Sequence, residues 1–92
     1  MKALGELRQE IDSLDRDLTR LLAHRFALTD QVAEAKRNGS LPVLDSSRER
    51  EILKAVEGAA GPAAGKEVRA IYERLFELSR ARQERLLSGG EP

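Results

Sequence analysis

The stretch that decides the fold is residues 4–35, LGELRQEIDSLDRDLTRLLAHRFALTDQVAEA, whose apolar side chains recur at alternating steps of three and four. This spacing is the heptad pattern of a helix that packs an apolar seam against another helix. One seam position holds Arg25 where the pattern calls for an apolar residue. The apolar seam positions are Leu4, Leu7, Ile11, Leu14, Leu18, Leu21, Leu28, Val32 and Ala35.

The predicted first helix is too long for the rest of the chain to cover. Gly39, with Pro42 just beyond it, favours a helix that runs from about residue 4 to about residue 37. Such a helix is roughly 50 Å long, whereas a compact chain of 92 residues has a radius of gyration of about 12 Å. We therefore predict an all-α fold in which two long helices run antiparallel in an entwined homodimer.

Two shorter helices complete a single predicted domain, 1–92. The polar segment 38–47, NGSLPVLDSS, is a loop, and helix 2 follows from about residue 47 to about residue 57. The segment 58–65, GAAGPAAG, contains the glycines and the proline of a second break. Helix 3 is predicted from about residue 66 to about residue 87.

The start of helix 2 offers two alternative N-caps. Ser46 and Glu49 match an S-x-x-E capping box, in which the serine and glutamate side chains satisfy free backbone N–H groups. Asp45, one residue earlier, is a rival N-cap.

The composition argues against several classes of function. The chain has no cysteine and one histidine, His24, which excludes a thiolate metal site and argues against a zinc centre. Sixteen basic and sixteen acidic residues cancel, which argues against nucleic acid or an anionic membrane as the main partner. No run reaches the ~20 apolar residues of a membrane span. The N-terminus, MKALGELRQEID, lacks the apolar core of a secretory signal, so we expect a cytoplasmic protein.

Helix 1 carries basic side chains in or beside its apolar seam. Arg25 lies in the seam, and Arg8 and Lys36 each follow a seam position by one residue. Arg8 and Arg25 are roughly 25 Å apart along one helix, so they cannot bind the same small molecule within one chain. In an antiparallel dimer, Arg8 of one chain can lie opposite Arg25 of the other.

Helices 2 and 3 also place polar groups beside apolar ones. Ser79 and Gln83 continue the apolar stripe of helix 3 at four-residue spacing, and Arg48 and Glu49 flank the apolar side of helix 2. A buried charge needs a partner, and arginine is favoured where a carboxylate is bound by two hydrogen bonds. The pattern predicts an anionic ligand with more than one carboxylate or phosphate.

Each of these residues also has a structural interpretation. Arg25 could pair with a seam acid, Asp12 or Asp15, of the partner helix. Arg8 and Lys36 could be solvated charges beside the seam. The remaining polar residues could be ordinary helix-end or surface groups, so the prediction depends on their occurring together.

With these residues in place, the chain resembles the all-helical class of chorismate mutases, the type II family, over nearly its full length. Residues 7–36 resemble that family's first helix, which ends in an A-K pair. Residues 41–51, LPVLDSSRERE, resemble its loop and second helix, and 71–83, IYERLFELSRARQ, resemble its third. The resemblance implies a homodimer that converts chorismate to prephenate in phenylalanine and tyrosine biosynthesis, without a metal or cofactor.

The resemblance also implies roles for individual residues. Arg8 would reach into the partner's site and bind a carboxylate, and Arg25 would bind a substrate carboxylate within its own chain. Lys36 would hydrogen-bond the ether oxygen and one carboxylate, and Gln83 the ether oxygen.

The other implied contacts surround the rest of the substrate. Arg48 would support carboxylate binding, and Ser79 would bind a carboxylate. Asp45 and Glu49 would contact the hydroxyl side of the substrate.

Helix 3 can be aligned with the family in two registers. The preferred register matches Tyr72, Ser79 and Gln83 together. Aligning on Phe76 instead would put Gln83 at the serine position and Leu87 at the glutamine position.

Two other functions are compatible with the same helices. An isochorismate pyruvate lyase has the same fold, although the D-x-x-R-E stretch resembles the mutase more closely. A non-catalytic dimerisation or regulatory module of an aromatic-pathway enzyme would have no need of Lys36 and Gln83. Association with another enzyme of that pathway is a further predicted partnership.

Overall fold

The computed structural model describes residues 1–89, and the last three residues of the predicted domain, Gly90–Pro92, lie outside the described part. It contains three helices: α1 (Leu4–Asn38), α2 (Ser46–Ala60) and α3 (Gly65–Leu87). The predicted all-α class, with one long and two shorter helices, is confirmed. Within residues 1–89, no helix is long and apolar enough to cross a membrane.

The helix ends follow from local chemistry. The Asp45 carboxylate accepts a hydrogen bond from the backbone N–H of Arg48 at 3.1 Å, so Asp45 is the N-cap of α2. The predicted capping box was wrong, because Ser46 is already the first helical residue. α2 continues three residues beyond its predicted end, and the chain turns at Gly61, whose φ is 80°. Positive φ is readily adopted by glycine, which has no Cβ.

α3 packs against both other helices. Its first residue, Gly65, lies so close to α2 that a Cβ there would approach the backbone oxygen of Glu57 to 2.9 Å, so glycine is needed at this crossing. The buried apolar core consists of Leu75 and Phe76 of α3, Leu53 of α2 and Ala33 of α1.

α1 contacts α3 through only part of its length and only one face. From Leu22 onward, the face that contains Phe26, Thr29 and Ala33 is buried or half-buried. The Arg82 guanidinium of α3 donates two hydrogen bonds to the Asp30 carboxylate, at 3.2 and 2.6 Å. Its central carbon also lies 5.1 Å from the centre of the Phe26 ring. This cluster fixes the C-terminal half of α1 on α3.

The heptad seam of α1 lies on a neighbouring face and stays uncovered. Every residue from Met1 to Leu21 is exposed, and the seam residues Leu28 and Val32 are 48% and 44% exposed even though α3 packs beside them. The radius of gyration is 16.5 Å, against about 12 Å for a compact chain of this length. Most of the N-terminal half of α1 therefore projects from the three-helix body.

Candidate active site

A pocket of about 220 Å³ opens where the C-terminal half of α1, the following loop, the start of α2 and the C-terminal half of α3 meet. It brings together seven of the eight predicted site residues from four separate parts of the chain. Those seven are Arg25, Lys36, Asp45, Arg48, Glu49, Ser79 and Gln83.

Arg25 contributes a half-buried positive charge to the pocket. The central carbon of its guanidinium lies 5.6 Å from the centres of both the Tyr72 and the Phe76 rings, a favourable cation–π geometry. Its Nη1 is buried and has no hydrogen-bond partner within residues 1–89. A buried donor without an acceptor is costly, so this atom favours a ligand that brings an acceptor. Pairing of Arg25 with an acid of a partner helix stays a prediction.

Ser79 and Gln83 lie one helical turn apart on α3 and are only 6% and 5% exposed. The Gln83 amide donates to the backbone oxygen of Thr29 at 2.8 Å. The Ser79 hydroxyl is a second buried group without a partner in the described part of the chain. Both side chains line the pocket, whereas Leu87, which the competing register would use, does not.

Lys36 links α1 to the loop that forms one side of the pocket. Its Nζ donates to the backbone oxygen of Val43 at 2.6 Å. An ammonium group has three N–H donors, so this bond leaves two for a ligand. The basic residues in the last turn of α1 also interact favourably with the C-terminal end of the helix dipole.

The start of α2 supplies Asp45, Arg48 and Glu49. The Asp45 carboxylate is engaged as the N-cap, and the Arg48 side chain, which is 62% exposed, pairs with Glu51 at 2.7 Å. Glu49 is less exposed, at 23%, and both of its carboxylate oxygens contact Nη1 of Arg80, at 2.6 and 2.5 Å.

Arg80 is the charged pocket residue that the sequence analysis missed. It lies next to the predicted Ser79 and four residues after Phe76, so the same helical spacing that indicated the stripe of α3 also indicated Arg80. With it, the lining contains four basic and two acidic side chains, an excess of two positive charges. An excess of this size suits a ligand with two negative charges.

The remaining lining is mostly apolar. It consists of Thr29, Val32, Val43, Ile52 and Phe76. Apolar walls around a few convergent polar groups are typical of small-molecule sites. Among residues 1–89, no group of three or more His, Cys, Asp or Glu side chains could bind a metal ion.

Comparison with known families gives the pocket a context. A model of the family "chorismate mutase type II" matches residues 7–84. This chain belongs to the chorismate mutase type II family. The match covers all of α2, most of α1 and α3, and all eight predicted site residues.

Curated relatives match a shorter segment of this chorismate mutase family member. The T-protein of Haemophilus influenzae is 47% identical over 55 residues, which cover 60% of this chain and 15% of the relative. A bifunctional chorismate mutase/prephenate dehydratase of Aquifex aeolicus is 41% identical over 56 residues, 61% of this chain and 16% of the relative. The chorismate mutase of Methanocaldococcus jannaschii is 36% identical over 52 residues, 56% of this chain and 52% of the relative.

The chain thus spans about half or less of the length of these relatives. No solved structure matches it at a comparable level of significance.

Arg8 is the predicted site residue that this chorismate mutase family member does not bring to its own pocket. It is exposed on the projecting half of α1 and follows the seam residue Leu7. Seventeen residues separate it from Arg25, roughly 25 Å along the helix. The role predicted for Arg8 therefore depends on a second chain.

Proposed function

We propose that this protein is a chorismate mutase, which converts chorismate to prephenate in phenylalanine and tyrosine biosynthesis. The observation that carries the proposal is the pocket, where Arg25 Nη1 and Ser79 Oγ are buried without a hydrogen-bond partner within residues 1–89 and lie among side chains with a net positive charge. Chorismate carries two carboxylates, which supply the acceptors and the negative charge that these groups lack. The family membership and the names of the relatives support the same reaction.

The proposed reaction is a [3,3] rearrangement within one molecule, so the first task of the pocket is to position its substrate. The flexible chorismate must be held as a compact chair with its two reacting carbons close together. Holding reacting groups in this geometry removes a large entropic part of the barrier. Arg25 and Ser79 bind carboxylate, Arg48 supports this binding at the rim, and the apolar walls restrict the ring.

The second task is to stabilise charge. In the transition state the C–O bond breaks ahead of C–C bond formation, and negative charge grows on the ether oxygen. Lys36 and Gln83 donate hydrogen bonds to that oxygen, with N–H groups that their bonds to Val43 and Thr29 leave free. Preorganised donors of this kind act as an oxyanion hole. Asp45 and Glu49 contact the hydroxyl side of the substrate.

We also propose that the functional unit is an entwined antiparallel homodimer. Support comes from the uncovered seam of α1, where Leu4, Leu14 and Leu21 are 61%, 66% and 64% exposed. An apolar stripe of this length indicates an interaction surface. In the antiparallel arrangement, Arg8 of each chain completes the pocket of the other. Association with another enzyme of the pathway stays a prediction.

The direct test is turnover by the purified chain, produced in a host strain that lacks its own chorismate mutase. We expect chorismate to be consumed and prephenate to form at a rate proportional to protein concentration. A parallel assay supplies isochorismate and measures salicylate and pyruvate. Salicylate formation would favour the lyase, and a folded protein inactive on both substrates would favour the non-catalytic module. Either result would contradict the proposal.

A further inference from the structure

The pocket contains an ion pair between Glu49 and Arg80, and the proposed reaction gives no role to Arg80. Of the ion pairs within residues 1–89, Arg80–Glu49 is the one in which both partners line the pocket. It joins α3 to α2, and its side chains are 31% and 23% exposed. A comparable α3–α2 pair, Arg69–Glu57, lies outside the pocket, is longer at 3.1 Å and is 44% and 41% exposed.

The geometry fixes the Glu49 carboxylate but engages only one of the three nitrogens of the Arg80 guanidinium. A single nitrogen of Arg80, Nη1, contacts both oxygens of Glu49. An arginine has five N–H donors on three nitrogens, and no hydrogen bond from the other two nitrogens occurs in the part of the chain described. Glu49 is thus held in one orientation, and its charge is offset at the pocket wall.

Charge makes this contact important for a dianionic substrate. A carboxylate in the wall of a half-buried pocket repels an anionic ligand, because like charges interact strongly where water is partly excluded. Removing the charge of Arg80 would lower the positive excess of the lining from two to one and leave Glu49 without its partner.

We propose that Arg80 is a positioning residue of the active site, which orients Glu49 and offsets its charge so that the pocket accepts a dicarboxylate. This inference rests on the proposed mutase function. Arg80 acts through Glu49 and contributes mainly to the binding of the substrate. Its loss therefore raises KM more than it lowers kcat.

The test compares Arg80→Met in two backgrounds. Methionine keeps an unbranched stem and removes the charge. In the wild-type background we expect KM for chorismate to rise roughly 10-fold, with kcat within about 3-fold. In the Glu49→Gln background, which lacks the carboxylate that Arg80 contacts, we expect Arg80→Met to change KM by less than about 2-fold.

Three further variants make the comparison specific. Arg80→Lys keeps the charge and should hold KM within about 3-fold of the wild type. Arg69→Met removes the matched α3–α2 pair outside the pocket and should leave KM unchanged. Arg80→Gln is used in place of Arg80→Met if the latter fails to fold, with the same expected rise in KM.

The outcomes separate this inference from the proposed function. An active wild type whose KM is unaffected by Arg80→Met would overturn the role of Arg80 and leave the mutase function standing. An equal rise in KM in both backgrounds would show that Arg80 acts independently of Glu49, which also contradicts the inference. A folded wild type that does not convert chorismate would overturn both.

Discussion

The two halves of α1 carry one continuous apolar pattern but meet different surroundings. From Met1 to Leu21 every side chain is exposed, whereas from Leu22 onward one face of the helix packs on α3 and contributes Arg25 and Lys36 to the pocket. Most helical stability in proteins comes from packing of an apolar face, and the N-terminal half has no packed face within residues 1–89. This difference is the basis for the proposal that a second chain packs against the N-terminal half.

The comparison also separates two faces of α1. α3 covers the face with Phe26 and Ala33, while the apolar residues of the heptad seam beside it stay exposed along the whole helix. A single helix can therefore line a pocket within its own chain and present a seam to a second copy. In the proposed dimer, the N-terminal half carries Arg8 to the partner's pocket.

The largest expected effect comes from a charge placed in the middle of the uncovered seam. Leu14 is 66% exposed in the single chain, where a substitution to glutamate would change little. In the dimer, Leu14→Glu buries a charge in each of two chains, which we expect to weaken dimerisation by about 1,000-fold. Sedimentation equilibrium measures this dissociation constant.

The matched control for the seam is Arg16→Glu, which places the same side chain on the opposite side of the helix. It should leave the dimer intact. A monomeric wild type, or a dimer that tolerates Leu14→Glu, would contradict the proposed role of the N-terminal half.

The next largest effect is expected for Lys36, in the C-terminal half of α1 that packs on α3. Lys36→Ala removes a proposed donor to the ether oxygen, so we expect kcat to fall by at least about 100-fold while the dimer persists. Because Lys36 also bonds Val43, melting temperature is measured alongside activity. Lys54→Ala, an exposed lysine of α2 outside the pocket, is the control. Near-normal kcat in folded Lys36→Ala would disprove the assigned mechanism.

The smallest effect concerns the Arg82–Asp30 ion pair, which holds the C-terminal half of α1 on α3. Arg82 and Asp30 are 41% and 29% exposed, so solvent screening limits their contribution, and Arg82→Met should cost about 1 kcal/mol of stability. At fixed protein concentration this lowers Tm by about 4 °C. Arg20→Met removes an exposed pair of the N-terminal half, with Asp17, and should cost less than about 0.5 kcal/mol.

The Arg82 contact should not depend on the titration of that arginine near neutral pH. The hydrogen bonds that the Arg82 guanidinium donates to the Asp30 carboxylate raise the pKa of the guanidinium above its ordinary value. A raised folded-state pKa gives stability that is fully present below the unfolded-state pKa and is lost only as pH rises through the folded-state value. The stability difference between wild type and Arg82→Met should therefore be constant from about pH 6 to 9, and a loss of the difference within that window would contradict this account.

Much of the fold was predictable because it depends on local signals. The three helices follow from the spacing of apolar residues. Six of the seven pocket residues were identified from their positions on those helices, and Asp45 from the family resemblance. The choice between Asp45 and Ser46 as N-cap was not predictable, because both side chains suit that position. The spacing of α3 offered a signal for Arg80, but its contact with Glu49 was not predictable, because that contact depends on how α2 and α3 cross. The face of α1 that contacts α3 was not predictable either, because it depends on how these two helices cross.

The most direct test of the account is complementation between two inactive variants. In an antiparallel dimer, Arg8→Ala and Arg25→Ala each damage both sites, but a heterodimer of the two contains one intact and one doubly damaged site. After unfolding and refolding an equal mixture, statistical pairing predicts recovery of about one quarter of the wild-type activity. Each variant refolded alone should stay inactive. No recovery, with heterodimers demonstrated by mass spectrometry, would contradict the claim that the exposed half of α1 completes the partner's active site.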